Sequence, residues 1–336
     1  MPTQRKPTPR KAAYKATELP STRVETDRRV PLIILGVIAA LMALVLIVTR
    51  CASPAAENNM PAPGEPAVIE ESSSSAEAES SEITEPTNPS AKASLAEYTW
   101  DELSEISKKI SAAASEEDAI YVAKQYRLVD TSGNIKAGEA KTIEFLDGST
   151  ASARIIGFNH DTPSSGTGRA GITFMLTDGI RSMAFNDDGS NYGGWPSSSV
   201  SYYLGVELWE NLPDDLENRI VEVNKTSVID AEGTISQTGD VIWLPSYVEV
   251  MGQSGAGSDN LKQEGSQYQY FKELGLSAGA DNTSLVMHDG GQANAWWLRS
   301  ADFSNDTSWY YVSAAGKAGS GGSGDSSYIV VPCFSI

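Results

Sequence analysis

Two cysteines and two histidines are all that 336 residues supply of these side chains. Cys51 and Cys333 stand far apart in the chain, so no disulfide framework staples the fold and apolar area must hold it instead. Cys333, between Pro332 and Phe334, reads as a small buried apolar residue. His160 and His288 are each followed by an aspartate. Neither sits in a His-Glu-x-x-His pattern, and Gly-x-Ser-x-Gly and the phosphate-cradling glycine-rich loop are missing as well. Without a nucleophile or water held within reach, both histidines read as surface or structural. Internal repeats are absent. Positive charge is also scarce, with 25 Lys and Arg against 44 Asp and Glu and a net charge of −19. This charge disfavours nucleic acid and acidic polymers as partners of the bulk of the chain.

What stands out against this background is an uncharged run, Val30 to Val48. As a helix it would be about 28 Å long, close to the hydrocarbon thickness of a bilayer. The sequence thus predicts one transmembrane helix over 30–49. A cleaved signal peptide would have a shorter apolar region and small residues at its end, whereas Thr49-Arg50-Cys51 follows here. Arg50 directly before Cys51 argues against lipidation of that cysteine. Residues 1–29 hold eight basic and three acidic side chains, a net +5 that leaves −24 for residues 30–336. Positive flanks stay in the cytoplasm. The expected topology is single-pass at the cell membrane, with a basic cytoplasmic tail and an extracellular carboxy-terminal part.

Residues 50–95 are rich in Ala, Ser, Glu and Pro. Such a stretch buries too little to offset its chain entropy, so a disordered acidic stalk is expected. Thr99-Trp100-Asp101-Glu102 is a capping box, and Leu103, Ile106 and Ile110 continue at helical spacing. A second helix opens at Ser115, giving a helical hairpin over 96–140. Beyond it the period changes to that of strands: Lys141 to Leu146, a turn at Asp147-Gly148, Thr150 to Phe158, and Ile172 to Leu176. Helices are predicted for Val200 to Trp209, Asp214 to Arg219 and Tyr268 to Leu274. Further strands are predicted for Ile220 to Val223, Asp240 to Leu244, Ala295 to Arg299, Trp309 to Ser313 and Tyr328 to Phe334, with a glycine- and serine-rich loop over Ala315 to Ser327. The class is α+β, not the regular alternation of a nucleotide-binding sheet.

Several stretches carry a resemblance: Ile156-Gly157-Phe158-Asn159-His160-Asp161, Gly168-Arg169-Ala170-Gly171-Ile172-Thr173-Phe174, Gly193-Gly194-Trp195 and Trp296-Trp297-Leu298-Arg299-Ser300. Over Lys141 to Ile336 the chain resembles an uncharacterised, DUF6273-like domain family common in extracellular proteins of Gram-positive gut bacteria. The family usually closes with Gly-Val-Arg-Pro-Ala-Phe. Here Val330-Val331-Pro332-Cys333-Phe334 stands in that place, with Val331 where the Arg would be. The closing pattern is similar to C-type-lectin-like folds, which implies a loop-rich mixed domain over 141–336. Fold does not fix function.

Trp296, Trp297 and Arg299 read as a structural signature, and a buried Arg299 needs a carboxylate partner. Asp187, Asp188 and Asn191 cluster oxygens of the kind calcium prefers, without the closing Glu of an EF-hand. Asp302, Asn305 and Asp306 ahead of Trp309 resemble a lectin calcium site. Calcium is the only cofactor these residues raise. Tyr192, Trp195, Trp309, Tyr310 and Tyr311 flank the glycine-rich loops and are candidates to stack on sugars. Trp195, Trp309, Tyr310, Asn305 and Asp306 form the expected ligand-binding set. Three readings follow: a stalked surface protein of the bacterial cell envelope that binds a glycan or protein; an enzyme on envelope polymers using Asp161 and Asp289 as acid and base; or a spacer or sensor partner without a small ligand.

Overall fold

The computed structural model describes residues 88–253, 258–276 and 281–336. The basic tail, the apolar run expected to cross a membrane, Cys51 and most of the acidic linker lie outside the described residues. Among the described residues, no helix is long and apolar enough to cross a membrane.

Order begins earlier than the composition suggested. The linker was expected to reach residue 95, yet Leu95 is buried in a single helical turn, and its N–H donates to Glu139 Oε2 at 2.8 Å. Tyr98 is buried too and donates to the carbonyl of Tyr126 at 2.7 Å. These two large side chains supply the apolar area that the Ala/Ser/Glu stretch lacks.

Helix α1 (Trp100–Ser111) starts at Thr99, whose hydroxyl accepts from the Glu102 N–H at 3.1 Å while Glu102 accepts from the Thr99 N–H at 3.0 Å. Helix α2 (Glu116–Gln125) is capped by Ser115 and packs on α1. The pair is joined to the rest by a shared core. The Trp100 ring meets Phe174 and Phe334 edge-on, with centroids 5.5 and 5.9 Å away. Ser107 donates to the carbonyl of Ile336. Gly171 lies so close to α1 that a Cβ there would be 2.0 Å from the Ser107 carbonyl oxygen.

Four strands, β1 (Lys141–Glu144), β2 (Thr150–Phe158), β3 (Ile172–Leu176) and β4 (Arg181–Met183), come first. Short helices α3 (Ser199–Tyr202) and α4 (Asp214–Glu217) follow, then β5 (Val223–Val228) and β6 (Ile235–Asp240), α5 (Tyr247–Met251) and α6 (Gln269–Glu273). The chain ends with β7 (Met287–Asp289), β8 (Gln292–Asn294), β9 (Trp296–Asp302), β10 (Ser308–Val312), β11 (Ala318–Ser323), β12 (Tyr328–Val330) and β13 (Cys333–Ser335). One antiparallel sheet has the order β1-β2-β3-β13, so the last strand lies beside one of the first. A second sheet runs β11-β10-β9-β12-β4, and β5-β6 and β7-β8 form two ribbons. The mixture of helices and separate sheets is α+β.

Four strand expectations change, the first being the strand expected over Ile220 to Val223, which starts only at Val223 as β5. The loop expected over 315–327 contains β11, a glycine-rich edge strand paired to β10. The single closing strand splits into β12 and β13 because Pro332 has no N–H to continue the ladder. The strand expected from Asp240 to Leu244 is displaced upstream: β6 ends at Asp240, and Trp243 makes only an isolated bridge to Cys333. Trp195, Trp243, Trp296, Trp297 and Trp309 are all fully buried, so aromatic rings fill the space between the sheets and ribbons.

Candidate functional site

The loop that leaves β2 turns at Asn159, a non-glycine residue at φ 49°, and delivers Asp161 into the interior. Strand β5 alternates, so Val223, Lys225 and Ser227 share the buried side. Helix α5 opens on a second capping box, with Ser246 accepting from the Glu249 N–H at 3.1 Å and Glu249 Oε2 accepting from the Ser246 N–H at 2.9 Å. Arg299 sits mid-strand in β9 and is fully buried.

These elements bring four charges together. Lys225 Nζ donates to Asp161 Oδ1 at 2.5 Å and to Glu249 Oε1 at 2.9 Å. Arg299 forks onto Glu249, with Nη2 3.2 Å from Oε1 and Nη1 on Oε2. Arg299 Nη2 also donates to the carbonyls of Glu264 at 2.6 Å and Thr226 at 3.2 Å. Tyr268 and Thr173 donate to Asp161, Thr173 at 2.7 Å. The carboxylate that a buried Arg299 requires is thus Glu249. Nearby, Glu264 accepts from Ser300 and from the Val228 N–H at 3.0 Å.

Electrostatics follow from burial and partners. Burial, the largest influence, would raise the Asp161 carboxyl, but the Lys225 ammonium, His160 and the hydrogen bonds from Lys225 and Thr173 together outweigh it and hold the pKa down at about 2. Glu249 is likewise pushed up by burial and brought below its ordinary value by Arg299 and Lys225. Burial raises Glu264, and Arg299 only partly opposes it. Burial pushes the His160 imidazole down, toward its neutral form, and its ring lies on Tyr268 with centroids 4.0 Å apart. Burial also pushes the Cys333 thiol well up, which leaves it unreactive.

A pH dependence follows. The stability held by Asp161 and Glu249 is present above their ordinary values of 3.8 and 4.5 and is lost as pH falls through the lower folded values, about 2 for Asp161. Glu264 acts oppositely: its contribution is complete below 4.5 and is lost as pH rises through its raised folded value. Thermal midpoints measured from pH 7 to pH 2 are expected to rise first and then fall. Glu264→Gln should flatten the rise and leave the acid fall in place.

His160, Asp161 and Glu249 offer ligand atoms within 4.8 Å of one another, the one such group of three among the described residues. A divalent ion does not fit there. The Lys225 ammonium occupies the position between the two carboxylates, and its ring neighbours Trp243 and Tyr268 lie 4.4 and 5.4 Å away.

Two recesses open beside this cluster. A small one of about 180 Å³ has Asp161, Lys225, Glu249, Glu264 and Arg299 in its walls. A groove of about 1070 Å³ runs between the helical hairpin and the end of β2. Both are lined by His160, Arg169 and Ser266. The groove carries five side-chain amides, Asn134, Asn159, Gln253, Gln267 and Gln269, over a floor that includes Gly157 and Phe158. None of these amides, nor Lys225, Glu249 or Glu264, was singled out in the sequence. The Ser246-x-x-Glu249 capping box was the one local signal for any of them.

The expected site residues land elsewhere. Trp195 and Trp309 are fully buried around Phe185, Trp309 stacked on it at 3.6 Å, so neither can meet a sugar. Tyr310 is partly buried against Tyr247 at 4.8 Å, and burial raises its hydroxyl to about 12. It lines a separate cleft of about 310 Å³ with Asp230, Asp302 and Phe303. Asn191 donates through Nδ2 to the carbonyls of Asp302, Asn305 and Ser308 at 2.8–3.1 Å, pinning two loops together. Asn305 donates to Ser308, and the Asp306 carbonyl accepts from the Asn191 N–H. Asp188 accepts from the Ser190 N–H at 2.9 Å, a turn-forming bond, and Asp187 is exposed. Trp296 and Trp297 are core residues whose indole N–H groups donate to the carbonyls of Leu285 and Met183. Asp161 and Asp289 line no common recess. Asp289 is exposed on β7 and accepts from Ser182 at 2.9 Å, while Asp161 is kept ionised and cannot act as an acid near neutrality.

Residues 170–336 match the profile of a domain of unknown function, DUF6273. This part of the chain belongs to that family. The DUF6273 match begins at Ala170, inside the stretch of resemblance expected from Lys141, and so leaves β1, β2 and Asp161 outside it. No curated protein and no solved structure matches the chain.

Proposed function

We propose that the chain is a membrane-tethered protein of the bacterial cell envelope whose folded part binds a glycan in the groove between the helical hairpin and β2. The observation that carries this is the lining of that groove: five side-chain amides over an apolar floor, of which Asn134 makes no side-chain hydrogen bond among the described residues, while Gln253, Gln267 and Gln269 donate inward and keep a carbonyl oxygen without a partner among the described residues. Such a surface matches a polyhydroxylated chain better than an apolar ligand. At about 30 Å³ per water the groove displaces some 35 waters, enough for several sugar rings. The tether is the apolar run at 30–48, with the basic tail inside and the acidic linker and folded part outside. The C-type-lectin-like arrangement belongs to the same proposal, supported by the return of β13 to the sheet that opens the folded part. Binding rather than hydrolysis is favoured because the carboxylates of the adjoining recess, Asp161 and Glu249, are already paired with Lys225 and Arg299, and Glu273 in the groove wall already accepts from the Ile135 N–H and Gln269.

Retention of the full-length protein on immobilised cell-wall glycan tests this reading. Ala114→Trp, an exposed position on the groove wall, fills the space without touching the core and should lower retention at least tenfold. Failure of the unaltered protein to be retained at saturating concentration refutes the proposal.

A further inference from the structure

Arg169 stands where the groove and the small recess meet. Its Nη1 donates to the His160 carbonyl and to Thr162 Oγ1, both at 2.9 Å, which fixes the plane of the guanidinium. Arg181, Arg219 and Arg299 each pair with a carboxylate, whereas Arg127, Arg154 and Arg169 have none within salt-bridge distance among the described residues, and of these three Arg169 is the one that lines both the groove and the recess. Behind it, Arg299 lines the recess fully buried, and its Nε has no partner among the described residues. Lys272 lines the groove on the other side, also without a salt bridge among the described residues. Of the two acids in the groove wall, Glu273 already accepts from the Ile135 N–H at 2.9 Å and from Gln269 at 2.6 Å. The deeper carboxylates are neutralised by Lys225 and Arg299.

We infer that the glycan of this groove carries a carboxylate, seated by two parallel N–H···O bonds on the free edge of the Arg169 guanidinium at the mouth of the recess. The inference rests on the glycan reading above and names the ligand's chemical class within it. A guanidinium held in plane suits a planar carboxylate bidentately, where an ammonium would act only as a point charge. The net negative charge of the chain repels polyanions at long range, but physiological salt screens that term beyond about 8 Å. Sparsely acidic glycans are therefore favoured over densely charged ones.

The experiment compares two tetrasaccharides by calorimetry on the full-length protein: a neutral N-acetylglucosamine tetramer, and the matching tetramer with lactyl carboxylates on alternate rings. The carboxylated one is expected to bind at least tenfold more tightly. Arg169→Gln should bring the two affinities together, and Arg169→Lys should recover only part of the difference. Thr162→Val, which removes one of the bonds orienting the guanidinium, should give a smaller loss of the same kind. Equal affinities in the unaltered protein overturn the carboxylate inference and leave glycan binding standing. An unchanged preference in Arg169→Gln places the carboxylate elsewhere and also overturns it. Binding of neither tetramer removes both readings.

Discussion

Glu249→Ala is expected to cost the fold about 3–5 kcal/mol, the range for breaking a buried ion pair from one side. Among the described residues, Glu249 is the only carboxylate shared by both buried cations, taking Lys225 on Oε1 and Arg299 on both oxygens. Its removal leaves Arg299 without an acid in hydrogen-bond contact and Lys225 with Asp161 alone. It also frees the Ser246 N–H at the start of α5. Folded domains have about 5–15 kcal/mol in hand, so this is roughly a fifth or more of the whole. Urea unfolding at pH 7 should show a lower midpoint with an unchanged slope. Glu249→Gln, which can keep the capping bond but not the charge, should fall between. A cost under about 1 kcal/mol for Glu249→Ala would mean that water reaches the cluster and screens it.

Breaking and replacing the network are different operations. Burying four charges costs desolvation that their mutual attraction only partly returns, so an apolar replacement of matched size is not expected to be as harmful as a single deletion. Lys225→Met combined with Glu249→Leu should therefore destabilise less than the two single changes added together. The network joins the loop after β2, strand β5, helix α5 and strand β9, which have no sheet in common apart from β9 in the larger one. Its geometry fixes how these elements meet, and it forms one wall of the recess at which Arg169 is held.

Local signals in the sequence were strong where a single element decides the outcome. The Thr99 capping box and the spacing of Trp100, Leu103, Ile106 and Ile110 gave α1 because a twelve-residue helix repeats its pattern three times. Strand β9, buried from Trp296 to Ala301, was legible as a strand from Trp296-Trp297-Leu298-Arg299-Ser300. The charge cluster was not, since Asp161 and Lys225 are 64 residues apart, Glu249 and Arg299 50 apart, and α5 has only five residues in which to show a period. Trp195 was misplaced for a physical reason. Its glycine neighbours suggested an open loop, but Gly193 at φ 76° and Gly194 at φ 59° fold the chain inward instead. A Cβ on Gly194 would sit 2.5 Å from the Val228 carbonyl, so the glycines mark close packing rather than exposure. The groove amides come from the turn before β1, the residue after β2, the segment just past the end of α5, and the start of α6 with the segment just ahead of it, a convergence that no stretch of sequence displays.

A chain beginning at Ala170, the first residue of the DUF6273 match, is expected not to fold cooperatively, whereas one beginning at residue 88 is expected to do so. Three losses act together. Strand β3 loses its partner β2 along the register from Ala153↔Leu176 to Phe158↔Ile172, exposing a strand that is buried at every position. Phe174 and Phe334 lose the Trp100 ring that covers them. Lys225 loses Asp161 and is left with one carboxylate shared with Arg299. Each loss is of the order of a few kcal/mol by aromatic burial, unpaired strand edge or unpaired buried charge, and their sum exceeds the stability of an ordinary domain. Near-ultraviolet circular dichroism and thermal melting of the two fragments would decide the matter. A sharp melt from the 170–336 fragment would show that the hairpin and first strands are an addition to a self-sufficient domain. A featureless one would mean that the folding unit is larger than the family match, with the groove lying on the boundary between them.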